Sequence, residues 1–409
     1  MAEYRPLFGS YVLATVGEML ARLALTVLVF QRTGSPVLGA LTFAISYLPW
    51  ILAGPVLAAL ADRLPRHRVM VVSDLVRALL VALMAVPGMP LPALLVLLLL
   101  VSLASPPYEA ARSALTADVL TGDRYAVAMS LGGVVLQGAQ VVGFLLGGVL
   151  VTTLSPSVGL LVNAATFALS GLWLAGGLRA RPAPAAAVDG ATPTSVAADV
   201  AAGLRLVLTT PRLLAIVGLL WLGTLVTNAH EGIAPALSAD LVGDQSAVGL
   251  VLAAHPVGAV VGSVLVGRFC PPDLRERLLV PLVLLSVGAL AAAGLAGRLL
   301  EGAVAVALFT GLLAVSGAGS AWLIPLNVAF VAAVPPAARG RAFGVASAGM
   351  SGVQGLGALA AGAVAGVLDA TTVVLVAGVA GLPLVVPPLL GLLRTRPPAG
   401  VVVAGPSRA

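Results

Sequence analysis

The sequence predicts an all-α membrane protein with twelve transmembrane helices, in two six-helix bundles related by a pseudo-twofold along the membrane normal. Three observations predict it. Of 409 residues, 60% are hydrophobic and 9% charged, with a mean hydropathy of +1.10, whereas a water-covered surface needs about 25% charged residues. The apolar excess runs along the whole chain, which excludes a soluble enzyme, a nucleic-acid binder and a disordered protein. Its apolar segments are continuous, as in residues 93–103, where Ser102 is the one interruption; a membrane β-barrel would alternate apolar and polar residues. At about 20 residues per span and about 30 with its turn, the length holds about a dozen spans.

The expected spans lie near 8–30, 37–60, 69–88, 91–110, 126–152 and 157–178, then 213–236, 246–267, 278–297, 303–330, 342–368 and 371–393. The first contains Glu18 and Arg22 and lacks a small-residue cleavage site, so it reads as a span and not as a cleaved signal. Between spans six and seven, residues 179–188 are rich in Ala and Pro and 189–195 are polar, a linker composition. Residues 196–208 read as an amphipathic helix that Pro211 stops. The expected domains are therefore 1–178, a first six-helix bundle; 179–212, a cytoplasmic linker; 213–394, a second bundle; and 395–409, a cytoplasmic tail.

The arginines orient these spans. All 22 basic residues are Arg, against 16 acids, for a net charge of +6. Arg5 precedes the first span, and Arg63, Arg66 and Arg68 follow the second. Arg112 and Arg124 follow the fourth, Arg179, Arg181, Arg205 and Arg212 the sixth, and Arg268, Arg275 and Arg277 the eighth. Arg339 and Arg341 follow the tenth, and Arg394, Arg396 and Arg408 the last. The opposite loops hold only Arg32 and Arg298. This asymmetry predicts both termini in the cytoplasm and an even number of spans. The halves also resemble each other. A shift of 205 residues lays Pro211 on Pro6 and Arg268 on Arg63, and one of 217 lays Arg341 on Arg124 and Gln354 on Gln137. Parallel repeats of this kind build transporters with a substrate path between the halves.

The densest polar motif is Ala58-Ala-Leu-Ala-Asp62-Arg63-Leu-Pro-Arg66-His67-Arg68, followed by Asp74 and Arg77, three apart on one helix face. Guanidinium forks bind carboxylates bidentately, so this loop can clamp neighbouring helix ends; its arginines alone would also serve topology. Asp62-Arg63-x-x-Arg66-x-Arg68 with Ser73-Asp74-Leu75-x-Arg77 resembles the inner-loop signature of the Major Facilitator Superfamily. It is most similar to the twelve-span bacterial efflux branch that includes macrolide and enterobactin exporters. Leu23-Ala-Leu, Thr33-Gly-Ser-Pro36, Ala111-Arg112-Ser113-Ala114-Leu115, Ala164-Ala-Thr-Phe167 and Arg339-Gly-Arg341 extend the resemblance over nearly the whole chain. Two departures stand out. Ala58 and Pro65 replace the loop signature's glycines, and Gly143-Phe144-Leu145-Leu146-Gly147-Gly148 lacks the proline of the family's antiporter signature.

The resemblance implies a secondary transporter in the bacterial plasma membrane, exporting a hydrophobic or amphipathic small molecule such as a drug, antibiotic or siderophore by proton antiport. It implies an inner gate at Asp62, Arg63, Arg66, Arg68, Asp74, Arg77 and Arg112. Uptake of a nutrient or lipid-like solute, and a non-transporting receptor or assembly partner, are the alternatives. The residues themselves nominate the coupling site. Glu18 falls roughly 16 Å into the bilayer at ~1.5 Å per residue, where an ionisable group costs at least ~2.5–3.5 kcal/mol unless it meets water or a partner. With Arg22 one turn away, it is either a self-neutralising packing pair or a cavity-facing proton or cation site. Glu231 is the second candidate, beside His230 and Asn228. Gln137, Gln140 and Gln354 either line a cavity or hold helices together. Tyr47, Trp50 and Trp221 offer flat faces to an apolar substrate or anchor the membrane interface. His255, before Pro256, reads as a cap on a kinked turn, and Glu109 with Arg112 as a gate bridge or a solvated pair.

Nothing in the sequence suits catalysis. No Gly-rich loop precedes a Lys, which disfavours an ATP-driven pump, and the single Cys270 allows neither an internal disulfide nor a thiolate cluster. No cofactor is expected: the energy source would be a proton gradient. The partners would be a small-molecule substrate, protons and lipid, with no nucleic acid, and the protein would act as a monomer.

Overall fold

The computed structural model describes residues 3–52, 64–179, 181 and 196–395, and all regular elements among them are helical. In the first half, α1 (Tyr4–Thr33) and α2 (Pro36–Leu52) meet at Gly34, whose φ of 63° closes α1 with a left-handed cap. Glycine adopts that conformation without a Cβ clash. Next come α3 (Arg66–Met84), α4 (Leu91–Leu103), α5 (Ser105–Val119), α6 (Asp123–Thr153) and α7 (Pro156–Gly177). The second half holds α8 (Val196–Thr209), α9 (Pro211–Thr227), α10 (Ala234–Val242), α11 (Val248–Phe269), α12 (Pro272–Leu299), α13 (Gly302–Gly319), α14 (Leu323–Ala333), α15 (Arg339–Ala365) and α16 (Ala370–Arg394).

Nine helical stretches among the described residues are long and apolar enough to cross a membrane, counting α4 with α5 and α13 with α14 as one each. Three more helices stand where spans two, three and seven are expected. α2 and α9 are 17 residues each as described, and α3 carries four charges, Arg66, Arg68, Asp74 and Arg77. The count is consistent with twelve. Spans four, seven and ten differ from the continuous helices the sequence suggested. Pro106 and Pro107 follow a break at Ala104, residues 228–233 are non-helical before Pro235, and a 3-10 turn, Ser320–Trp322, precedes Pro325. Each proline lacks an N–H and crowds the carbonyl four residues back, so the helix breaks just upstream.

Glycine and alanine set the close contacts within each half. A Cβ on Gly258 would lie 1.8 Å from Ala314 O and one on Gly262 2.1 Å from Ala318 O, so α11 and α13 touch backbone to backbone. The halves meet along α2 with α15 and α6 with α11. The tightest of these contacts cluster at the end remote from the chain termini. There a Cβ on Gly148 would lie 2.7 Å from Gly249 Cα, one on Gly362 2.4 Å from Ala40 Cβ, and one on Gly232 3.3 Å from Ala40 Cβ. Toward the terminal end, Gly132, Gly133 and Gly138 of α6 and Gly340 and Gly344 of α15 have open space where a Cβ would go. Among the described residues the far end is sealed between the halves, and the terminal end is looser.

At the terminal end Glu3 ties α1 to the start of the linker. Its carboxylate accepts from Arg179 N–H at 3.2 Å and Arg181 Nη2 at 2.6 Å, and the hydrogen bond from Arg181 holds its pKa below the ordinary carboxylate value. A depressed carboxylate stabilises the fold above its unfolded pKa and loses that contribution as pH falls through the lower folded value. Glu3→Gln is therefore expected to speed hydrogen exchange of the Arg179 amide relative to the parent at pH 7. The ratio between the two proteins should approach one as pH falls through the depressed pKa of Glu3.

Candidate functional site

Glu18 sits midway along the 30-residue α1. Its Oε1 lies 3.6 Å from Arg22 Nη2, an ion pair beyond hydrogen-bond length. Arg22 Nη1 instead donates to Tyr47 OH at 3.1 Å, and the guanidinium carbon lies 5.7 Å and 5.2 Å from the Phe43 and Tyr47 rings. Arg22 is thus held by α2, while the Glu18 side chain is 37% exposed. Both line a pocket of about 50 Å³ with Ser46, Ser102, Ser105 and Asn163 on its polar side and Leu25, Val81, Leu98 and Phe167 on its apolar side. That exceeds the roughly 10–15 Å³ a single water needs. The i,i+4 pair therefore borders a pocket, with the Glu18 side chain partly exposed.

Glu231 lies in the non-helical stretch between α9 and α10, half-buried, and Arg22 and Tyr47 reach it electrostatically across the interface between the halves. Its carboxylate makes no hydrogen bond with any described residue. Asn228 is half-buried in the same stretch. His230 turns the other way: it is fully buried in the second half, against His255. Gln137 and Gln140 on α6 and Gln354 on α15 are half-buried, with no side-chain hydrogen bond among the described residues. Both helices border the interface. Trp50 is half-buried near the described end of α2, and Trp221 Nε1 donates to Ala346 O at 3.0 Å, tying α9 to α15.

The loop cluster separates into parts. Asp62 and Arg63 lie outside the described residues. Arg66 pairs with Asp118 of α5, and Arg68 is exposed. Asp74 and Arg77, expected among gate contacts across the bundles, are 0% and 2% exposed inside the first one. Arg77 Nη2 bonds Asp74 Oδ1, Ser170 Oγ donates to Asp74 Oδ2 at 2.5 Å, and the guanidinium lies 4.4 Å from the Tyr108 ring and 4.5 Å from that of Phe167. The i,i+3 spacing sets both residues on the face that α7 covers, so they bolt α3 to α5 and α7. Asp74→Ala leaves a buried guanidinium unpaired and is expected to cost about 3–5 kcal/mol. Arg68→Ala should stay within about 0.5 kcal/mol, and thermal unfolding in detergent reads both. Arg112 donates to Glu109 Oε2 from Nε at 3.0 Å and Nη2 at 2.7 Å, and its guanidinium stacks 3.8 Å from the Tyr11 ring. This pair is partly buried against α1.

Sequence reasoning missed Ser46, Ser102 and Asn163 around Glu18, and also Asp118, Ser170 and the meeting of His255 with His230. Single small polar residues in apolar helices carry no periodic signal. Asp118 was open to notice, because an acid closing the fourth span faces the basic loop.

Comparison with known proteins agrees with this fold. A family model described as Major Facilitator Superfamily matches residues 7–296 and 223–409. The Bacillus subtilis (strain 168) protein named uncharacterized MFS-type transporter YfiS is 31% identical over 169 residues, 41% of this chain and 40% of that protein. The chain thus spans about two fifths of that relative's length. Among solved structures, the nucleoside transporter NupG superposes with a TM-score of 0.72 at 14% identity, covering 96% of this chain and 99% of that one. A POT family transporter in complex with 5-aminolevulinic acid gives 0.69 at 12%, covering 96% and 97%. A bacterial homolog of the human lysosomal transporter Spinster, inward-facing and unoccupied, gives 0.67 at 15%, covering 96% and 95%. At such identities the likeness is one of fold.

Proposed function

The chain belongs to the Major Facilitator Superfamily, and from that premise we propose that this multi-pass membrane transporter exports a hydrophobic or amphipathic small molecule in exchange for protons. The observation that carries the reading is the charge cluster between the halves. Glu18 is accessible at the middle of α1, Glu231 has no hydrogen-bond partner among the described residues, and Arg22 lies within electrostatic reach of both. A membrane-buried carboxylate is tolerated where water or cargo visits it. Glu18 is the first choice for the titrating group and Glu231 the second.

The arginine-rich terminal end supports a cytoplasmic location for it, and with that orientation the sealed far end supports an inward-facing arrangement. In the opposite state, Asp62, Arg63, Arg66, Arg68 and Arg112 would close the terminal end against the second half, and rocking between the states carries the substrate across. The half-buried Gln137, Gln140 and Gln354, with Tyr47, Trp50 and Asn228, are the groups proposed to meet it. Export follows the inner-loop resemblance. Uptake is the other direction the same fold supports.

The test is flux. Everted vesicles carrying the protein should accumulate a lipophilic dye under an imposed pH gradient and lose it when the gradient is collapsed. Dye movement indifferent to the gradient, for every dye and drug of a panel, would falsify the antiport reading. Raised drug tolerance in a pump-deficient host would separate export from uptake.

A further inference from the structure

The chain has three histidines, and two of them meet inside the second half. The rings of His230 and His255 lie 5.6 Å apart between centroids, their planes tilted by 47°, with the residues 0% and 9% exposed. His230 Nδ1 is 3.0 Å from Thr227 O. A carbonyl only accepts, so Nδ1 carries the ring proton and Nε2 is left as a lone-pair acceptor. That Nε2 is buried without a partner. His255 Nε2 lies 3.2 Å from Ser320 Oγ, which can give or take a proton, so His255 is free to hold either tautomer.

Two of these residues, His230 and Ser320, stand where a helix is interrupted, and His255 stands beside a proline inside a continuous one. His230 is in the non-helical stretch before α10, His255 precedes Pro256 within α11, and Ser320 opens the 3-10 turn between α13 and α14. Interrupted helices near the midplane are where transporters bind their coupling ions. The same two segments also carry the far-end seal. Gly232, two residues past His230, packs on Ala358 and Ala40, and Gly249, six residues before His255 on α11, packs on Gly148.

We propose that the His230–His255 pair is a proton-binding site of the second half, loaded when the far-end seal opens and emptied when it closes. The proton joins the Nε2 lone pair of His230, shared with the neighbouring ring, and no other bond changes. The surrounding charges set the direction. Glu231 adjoins His230 in the chain, but its electrostatic partners are Arg22 of α1 and Tyr47 of α2. Asp240 of α10 is engaged by the amides of Ala370 and Thr371. α13 and α14 contain no titratable side chain. The remaining neighbours carry theirs near their ends: Asp123, Arg124 and Tyr125 on α6; Asp199 and Arg205 on α8; Arg212 on α9; Arg268 on α11; Asp273, Arg275, Glu276, Arg277 and Arg298 on α12; Arg339 and Arg341 on α15; Arg394 on α16. With the seal closed, no carboxylate among the described residues bonds either ring, so nothing offsets the desolvation of an imidazolium. Water entering an opened seal would offset it. A proton affinity that differs between two states makes protons shift their balance.

The site acts independently of Glu18, and the experiment keeps the two apart. Spin labels are placed at Thr153→Cys and Ser246→Cys, which flank the far-end meeting of α6 and α11, in a Cys270→Ser background of the full chain in nanodiscs. As pH falls from about 8 to 5, the open-to-sealed ratio should rise about tenfold, within the usual range of coupling between two binding events. The rise should persist in Glu18→Gln and vanish when His230→Gln and His255→Gln are combined. In the parent chain, ¹⁵N-imidazole signals, separated from that of His67 by His67→Gln, should titrate with the same midpoint as the distances. Distances indifferent to pH, a response that survives both histidine substitutions, or rings that stay neutral while the distances change would each overturn the proposal.

Discussion

Glu18→Gln is expected to abolish gradient-driven accumulation while leaving the protein folded and able to exchange substrate downhill. Glutamine keeps the shape of the side chain, and Arg22 retains its bond to Tyr47 OH, so the pocket beside α1 persists without a group that titrates. A gradient of one pH unit stores about 1.4 kcal/mol per proton, enough to hold a substrate ratio of about tenfold if one proton moves per cargo molecule. In the variant that ratio should fall to about one, while counterflow of labelled against unlabelled substrate continues. An unchanged ratio in Glu18→Gln, with collapse in Glu231→Gln, would move the titrating site across the interface. Loss of counterflow as well would mean that Glu18 binds cargo and not the driving proton.

The helical class and the placement of charges could be read from composition, because lipid leaves a chain no other way to satisfy its backbone. Facing could not. Glycines 143, 147 and 148 all permit close helix contact, yet the structure divides them. A Cβ on Gly143 would strike Met19 and Val16 of α1, inside its own half, whereas one on Gly148 would strike Gly249 in the other. α6 is apolar nearly all round, so hydropathy marks no face as inward. The same ambiguity hid the burial of Asp74 and Arg77. Their spacing told that they share a face, and only α7 packed on that face shows that it looks inward. Glu18 was legible because a charge amid hydrocarbon stands out by itself; Ser46, Ser102 and Asn163, which complete its surroundings, are ordinary residues for any helix.

Gly148→Ala should drive the molecule out of the sealed arrangement. An added Cβ would lie 2.7 Å from Gly249 Cα and 3.1 Å from Gly249 N, and the reciprocal Cβ on Gly249 would lie 2.8 Å from Gly148 Cα. Backbone faces backbone, with no flexible side chain to yield, so α6 and α11 must part. Overpacking of this kind costs about 1–3 kcal/mol. The penalty applies where the far end is closed and is relieved where it is open, so the two populations should shift by about 5- to 150-fold. Gly138→Ala on the same helix is the control. It meets open space, and alanine within a helix is favoured over glycine by roughly 0.5–1 kcal/mol. Reactivity of a cysteine placed at Ala40 toward a membrane-impermeant reagent added from the far side reads the opening directly. It should rise in Gly148→Ala, stay at the parent level in Gly138→Ala, and be accompanied by slower transport, because a carrier held on one side of its cycle turns over slowly. Equal reactivity in the two variants would mean that the glycine crossing is not what closes the far end, and the inward-facing arrangement would then have to rest on the contacts of α2 with α15 alone.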